Sequence, residues 1–214
     1  MHVDHFTYAA GPDGLLTEVN RLSELLGAEF KNGGFHPQFG TRNYILPLAE
    51  GRYLEVVEVL DHPVADKVLY GQVVRQRSNQ GGGWLSWIIT VDEPSFEEIV
   101  TRIDRPAVYG ARTFPDGRKL EWRQIGLKDV IIDPQLPYFI HWDSPSDVLP
   151  SALHGDISVQ SIELAGSQQR VEDFLQCEID GSIDGIEIQF NSPSGRPSLD
   201  AVTFLTPENG IVRI

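Results

Sequence analysis

Val3-Asp4-His5-Phe6-Thr7-Tyr8-Ala9, the stretch 13–27 behind it, and the two stretches 41–48 and 52–60 decide how this chain folds. Residues 3–9 are rich in β-branched and aromatic side chains and read as a strand. Leu15, Val19, Leu22 and Leu26 recur at three- and four-residue steps, the period of one helix face. Asp13 is the expected N-cap of that helix and Gly27 its stop. A short strand is expected around residues 28–30, followed by the loop Asn32-Gly33-Gly34-Phe35-His36-Pro37-Gln38-Phe39-Gly40. Residues 41–48 and 52–60 then read as strands joined by the Glu50-Gly51 turn. The unit over residues 1–60 is βαβββ.

The same order starts again. Val68, Leu69, Val73 and Val74 point to a short connecting helix, and residues 84–91 to a strand. Phe96, Ile99, Val100 and Ile103 mark an amphipathic helix behind Asp92-Glu93-Pro94. Residues 108–114 and 119–125 are expected to form a hairpin around Pro115-Asp116-Gly117, and residues 138–142 a closing strand. This second unit covers residues 83–143. A shorter copy, a partial βαββ repeat over 152–214, has strands expected at 157–164, 185–190 and 199–205 and a helix capped by Ser167. The fold class is α+β: paired βαβββ units forming a cup-shaped curved sheet over residues 1–143, with the partial third repeat packed on it.

Composition narrows the partners. Of 214 residues, 41% are apolar and 22% charged, which fits a globular chain and excludes wholesale disorder. The formal charge of −14 repels phosphate backbones and anionic lipid heads, so neither nucleic acid nor a membrane is an expected partner. The single cysteine, Cys177, allows no intrachain disulfide, and the start lacks the basic and apolar regions of a signal peptide. A cytoplasmic protein is expected. Gly81-Gly82-Gly83 lacks the spacing of a phosphate loop, so no nucleotide cofactor is indicated.

Three stretches of the first unit, Val3-Asp4-His5-Phe6-Thr7-Tyr8, His36-Pro37-Gln38-Phe39-Gly40-Thr41-Arg42-Asn43 and Tyr53-Leu54-Glu55-Val56-Val57, resemble the signature stretches of the glyoxalase-like domain family. Pro137-Tyr138-Phe139-Ile140-His141-Trp142 resembles its final strand. That family belongs to the vicinal oxygen chelate (glyoxalase and extradiol dioxygenase) superfamily. The resemblance implies a divalent metal, Zn, Fe, Mn or Ni, held in the cup by a His or Glu on each unit's first and last strands. Carried onto this sequence, the ligands are His5, Glu55 and His141. The second unit departs from the pattern: Trp84-Leu85-Ser86-Trp87-Ile88 offers no His or Glu, and alignment puts Ile140 at the ligand position, one residue before His141.

Beside the metal set, Glu55 and His36 are the candidate proton carriers. His36, Thr41, Arg42 and Asn43 sit where a glycine-rich loop meets a strand, and their donors and acceptors suit an oxygen-rich ligand. Trp87 and Trp142 are expected to line the cup with them. The function expected is a small-molecule site in the cup with metal-assisted lyase, isomerase or dioxygenase chemistry. The alternative is a metal-free binding or sequestration module in which His5 is structural and the aromatics grip the ligand. A homodimer is an open alternative for the assembly.

Overall fold

The computed structural model describes residues 1–114, 117–193 and 195–214. The first unit consists of β1 (His2–Ala9), α1 (Leu15–Leu26), β2 (Lys31–His36), β3 (Thr41–Pro47) and β4 (Tyr53–Val59). After α2 (Leu69–Asn79), the second consists of β5 (Gly83–Thr90), α3 (Glu93–Ile103), β6 (Val108–Thr113), β7 (Lys119–Ile125), α4 (Leu127–Ile132) and β8 (Tyr138–Trp142). The eight strands form one sheet in the order β2-β3-β4-β1-β5-β8-β7-β6. In each unit the last strand lies parallel to the first, and the antiparallel pair β1–β5 joins the units. Exchanging the units leaves the order unchanged, so a pseudo-two-fold axis passes between β1 and β5. The outer strands β2 and β6 curve back toward each other, and the sheet is a nearly closed cup.

Leu15, Val19, Leu22 and Leu26 are all buried, and Gly27 ends α1 in the left-handed conformation at φ 65°. Gly14, not Asp13, stands at the N-cap, and the Leu15 N–H donates instead to Glu58 Oε1 at 3.0 Å. Asp92 caps α3 through the Ser95 N–H, and Ser167 caps α5 (Gln168–Leu175) through that of Arg170. The expected strand at 28–30 lies three residues later: the glycine-rich stretch is itself β2, paired to β3 with a bulge between Asn32 and Gly34. Glycine weakens a strand by propensity, but the ladder to β3 supplies the backbone bonds. Pro115 and Asp116 of the expected turn lie outside the described residues.

The C-terminal sheet has the order β10-β11-β9-β12-β13, from β9 (Ser158–Ala165), β10 (Ser182–Ile183), β11 (Ile186–Ser192), β12 (Ser198–Thr206) and β13 (Gly210–Arg213). β11 runs parallel and β12 antiparallel to β9, as β4 and β5 do to β1. β12 therefore stands where the first strand of a following unit would stand, and β13 folds back on it.

Strand alternation separates two cores. Val57, Ile88, Leu120, Trp122, Tyr138 and Ile140 pack inside the cup. Phe6, Leu54, Trp87 and Phe139 face the other way and pack with Ile162, Leu164, Phe174 and Phe204 of the C-terminal unit. The link between the sheets returns over the cup, where Val148 and Leu149 pack on its apolar lining and Pro150 borders its cavity. Among the described residues no helix is long and apolar enough to cross a membrane.

Candidate functional site

The cup encloses a cavity of about 50 Å³ whose polar lining comes from both units: His5, His36, Asn43, Tyr53, Glu55, Tyr70, Arg112 and Gln124. Phe39, Trp122, Tyr138, Ile140 and Trp142 supply most of its apolar wall. The inward alternation of β1, β3 and β4 puts His5, Asn43 and Glu55 there.

His5 Nδ1 is 2.6 Å from Asp4 Oδ1, and Trp142 Nε1 donates to Asp4 Oδ2 at 2.9 Å. The imidazole stacks on the Tyr53 ring, with centroids 4.4 Å apart and planes 14° from parallel. Glu55 accepts from Asn43 Nδ2 at 2.6 Å through one oxygen, and from Thr7 Oγ1 at 3.0 Å and the Tyr70 hydroxyl at 3.3 Å through the other. His36 Nδ1 lies 3.2 Å from Thr41 Oγ1, and its ring meets Trp122 edge-on at 6.0 Å.

Burial pushes the His36 pKa down to about 4; the Glu55 carboxylate opposes this and the Arg112 charge adds to it. His36 is therefore neutral at pH 7. Burial likewise raises the Tyr53, Tyr70 and Tyr138 phenols, so each keeps its proton. Among the described residues, two buried side-chain atoms of the cavity lining have no hydrogen-bond partner: Asn43 Oδ1 and Arg112 Nε.

The structure brings His5, Glu55, His36, Asn43 and Trp142 together at this cavity, with Thr41 buried against His36. Three expected members lie elsewhere, each for a reason of strand parity. Ile140 faces inward, so His141 faces outward: its Nδ1 is 3.0 Å from the Val91 carbonyl, its Nε2 is 2.9 Å from Glu93, and its ring packs on Phe96. Asn43 faces inward, so Arg42 faces outward, and its Nε donates to Glu58 at 2.7 Å. Trp87 is fully buried on the convex side, where its Nε1 donates to the Gln135 carbonyl at 3.0 Å. Sequence reasoning missed Arg112, Tyr70 and Trp122. Arg112 lies on the outer strand β6, whose alternate residues Val108 and Gly110 define no apolar face, and Tyr70 comes from the connecting helix.

These residues do not make the expected metal centre. Tyr53 pairs with His5, and Tyr138 with Ile88, so Ile88 and Ile140 stand in unit two where unit one has His5 and Glu55. Both are apolar and buried. The oxygens of Glu55 already meet three neutral donors. Among the described residues, the only His, Cys, Asp or Glu trio with ligand atoms close together is Glu93, His141 and Asp143, on the outside of the sheet. The Arg123 guanidinium occupies that trio, 2.7 Å from Asp143 and in contact with Glu93. A chelated divalent ion needs ligand atoms that converge, and among the described residues His5, His36 and Glu55 of the cup do not bring three close together.

A nearly closed, eight-stranded sheet of two βαβββ units with a polar cavity at its centre defines a vicinal oxygen chelate protein. The family model described as the glyoxalase-like domain matches residues 3–176, and the chain belongs to that family. Among solved structures it is similar to a hypothetical protein from Staphylococcus aureus, with 15% identity, a TM-score of 0.71, and coverage of 99% of this chain and 98% of that one. It also resembles methylmalonyl-CoA epimerase from Mycobacterium tuberculosis, at 16% identity and a TM-score of 0.48 over 67% of this chain and 89% of that one. The enzyme of that name from Streptomyces coelicolor, solved with 2-nitronate-propionyl-CoA, has 15% identity and a TM-score of 0.47 over 66% and 96%. At 15% identity the likeness to the Staphylococcus aureus protein is one of fold alone. A comparison with curated proteins finds no significant match.

Proposed function

We propose that the cup binds a small oxygen-rich molecule and moves a proton on it, as an isomerase or lyase does, with His5 as the base. The observation that carries this is the 2.6 Å bond between His5 Nδ1 and Asp4. Donation of the Nδ1 proton to Asp4 leaves the lone pair on Nε2 as the proton-accepting site of the ring. Trp142 and Tyr53 hold the pair in place from either side. Glu55, fixed by Thr7, Asn43 and Tyr70, is the second group able to carry a proton across the cavity. His36, with its pKa near 4, contributes a hydrogen bond and not a base at neutral pH. Dioxygenase chemistry asks for two His and one carboxylate converging on iron; His5, His36 and Glu55 line the cup, but their ligand atoms do not form a close trio among the described residues.

Binding without turnover is the second reading, favoured by the small free space of about 50 Å³, which leaves little room for a substrate to rearrange. Proton exchange separates the two. Pyruvate and hydroxyacetone are incubated with the protein in D2O, and loss of their α-proton signals is followed by NMR. Exchange by the parent, reduced roughly 100-fold in His5→Gln and in Asp4→Asn, supports the proton-transfer reading. Exchange equal in the parent and both variants would overturn it, and binding without exchange leaves the cup a binding module.

A further inference from the structure

We propose that the ligand of the cup is a small monocarboxylate and that Arg112 is the residue that recognises it, which rests on the cup being a small-molecule site. Arg112 reaches from β6, the outer strand of unit two, toward β2, the outer strand of unit one. A Cβ placed on Gly34 of β2 would stand 3.7 Å from its Nη1. The guanidinium lies over the Phe114 ring at 4.8 Å and borders the cavity. It thus closes the one seam of the sheet that no strand pairing closes, and it does so with a charge.

Among the described residues that charge has no ion-pair partner. Arg42, Arg52 and Arg123 each hold a carboxylate, whereas Arg112 forms no ion pair among the described residues and its Nε is buried without a partner. A guanidinium does not shed its proton in a protein, so the mismatch is not relieved by neutralisation. Burial weighs against the charged form, and the nearby Tyr53 and Glu55 offset part of that. Glu55 is felt at a distance only, since its oxygens are engaged by Thr7, Asn43 and Tyr70. A partly buried cation without an ion-pair partner carries a desolvation cost, and an anion from solution offsets it.

The chemistry of the space selects the anion. The planar fork of arginine matches the two oxygens of a carboxylate. A single cation in a cavity that also holds the Glu55 carboxylate disfavours a dianion such as phosphate. A cavity of about 50 Å³ limits the ligand to a few heavy atoms, which points to acids of two or three carbons.

The test compares acids with their neutral amides. Acetate, glycolate and pyruvate, and acetamide and glycolamide, are titrated by calorimetry into the intact protein and into Arg112→Met and Arg112→Lys, with melting curves of each protein free of additive. The expected result is that acids bind the parent more tightly than amides, that Arg112→Met weakens acids roughly 30-fold or more and leaves amides unchanged, and that Arg112→Lys falls between. Without additive, Arg112→Met should melt at or above the parent, because a partly buried charge without an ion-pair partner among the described residues has gone. Acids bound equally by the parent and Arg112→Met, or a variant that melts well below the parent, would overturn the proposal. Amides bound as tightly as acids would overturn it too, while leaving the cup a small-molecule site. If neither acids nor amides bind, both this proposal and that reading fall.

Discussion

Arg52, just before β4, reaches out of the first unit and holds Asp184 of the C-terminal unit twice, through the backbone carbonyl at 2.6 Å and the carboxylate at 2.7 Å. Its Nε donates to the Val3 carbonyl at 3.2 Å, so one nearly buried guanidinium ties β1 to a loop more than 180 residues away in sequence. Burial pushes the Asp184 carboxyl up, but its bonds to Arg52 and the Val3 N–H and the charges of His2 and Arg52 together hold it below the usual carboxylate range.

Asp184→Asn keeps a residue that tolerates the left-handed backbone, φ 52° here, and removes the charge. We expect a loss of about 1–2 kcal/mol in urea unfolding at pH 7. Because the folded-state pKa is depressed, the contribution of the carboxylate is complete above its unfolded value and disappears as pH falls through the folded one. The parent and the variant should therefore converge in stability in acid, and a gap that stays constant would show that the ion pair is idle.

The C-terminal unit should not be removable. Phe6, Leu54, Trp87 and Phe139 of the cup share one core with Ile162, Leu164, Phe174 and Phe204. A chain ending at Ser151 exposes that apolar face at the centre of the sheet, and it should aggregate or melt far below the parent. A soluble truncation with the parent's melting temperature would show that the two sheets are energetically independent.

His36 gives the fold a pH dependence of known sign. Its pKa is about 4 when folded, against about 6.5 in an unfolded chain. Between those values the unfolded state binds a proton that the folded state does not, so stability falls as pH drops from about 6.5 to about 4. The total is about 3 kcal/mol at 1.36 kcal/mol per unit. His36→Gln retains a partner for Thr41 and does not titrate. Its stability profile should be flatter than the parent's over that window, and an unchanged slope would assign the dependence to other groups.

The legible part of this protein was its periodicity. Leu15, Val19, Leu22 and Leu26 announce a helix, and the strand patterns around His5 and Glu55 announce β1 and β4, because burial of one face imposes spacing on sequence. Parity was legible only where a strand had a marked inward residue. Glu55 was such a mark, whereas at β8 the alignment with β4 pointed to Ile140 and the family pattern to His141, and the pairing to β5 decides between them. Arg112 was invisible for a different reason: its place in the cup depends on the curvature that brings β6 toward β2, a property of all eight strands together.

Glu55 offers a discriminating substitution, because its two effects on the cup have opposite signs. Asn43 Nδ2 donates to one oxygen at 2.6 Å, and the hydroxyls of Thr7 and Tyr70 donate to the other. In Glu55→Gln the amide oxygen can still accept from Asn43, while the amide nitrogen can donate to a hydroxyl, since hydroxyls both give and accept. The fold should therefore survive, with a loss of about 1 kcal/mol. Asn43→Ala, by contrast, strips a buried carboxylate of its shortest bond and should cost about 2 kcal/mol. The charge effect is separate. Removing the Glu55 charge removes a repulsion on any anion held by Arg112, worth about 2 kcal/mol at an effective dielectric of about 20 and a separation of about 8 Å, so glycolate should bind Glu55→Gln roughly 30-fold more tightly than the parent. Calorimetry with glycolate and glycolamide reads this directly, and the amide should be indifferent to the substitution. Weaker glycolate binding in Glu55→Gln, with the melting temperature near the parent's, would mean that Glu55 contacts the ligand as a partner and does not merely share the cavity with it.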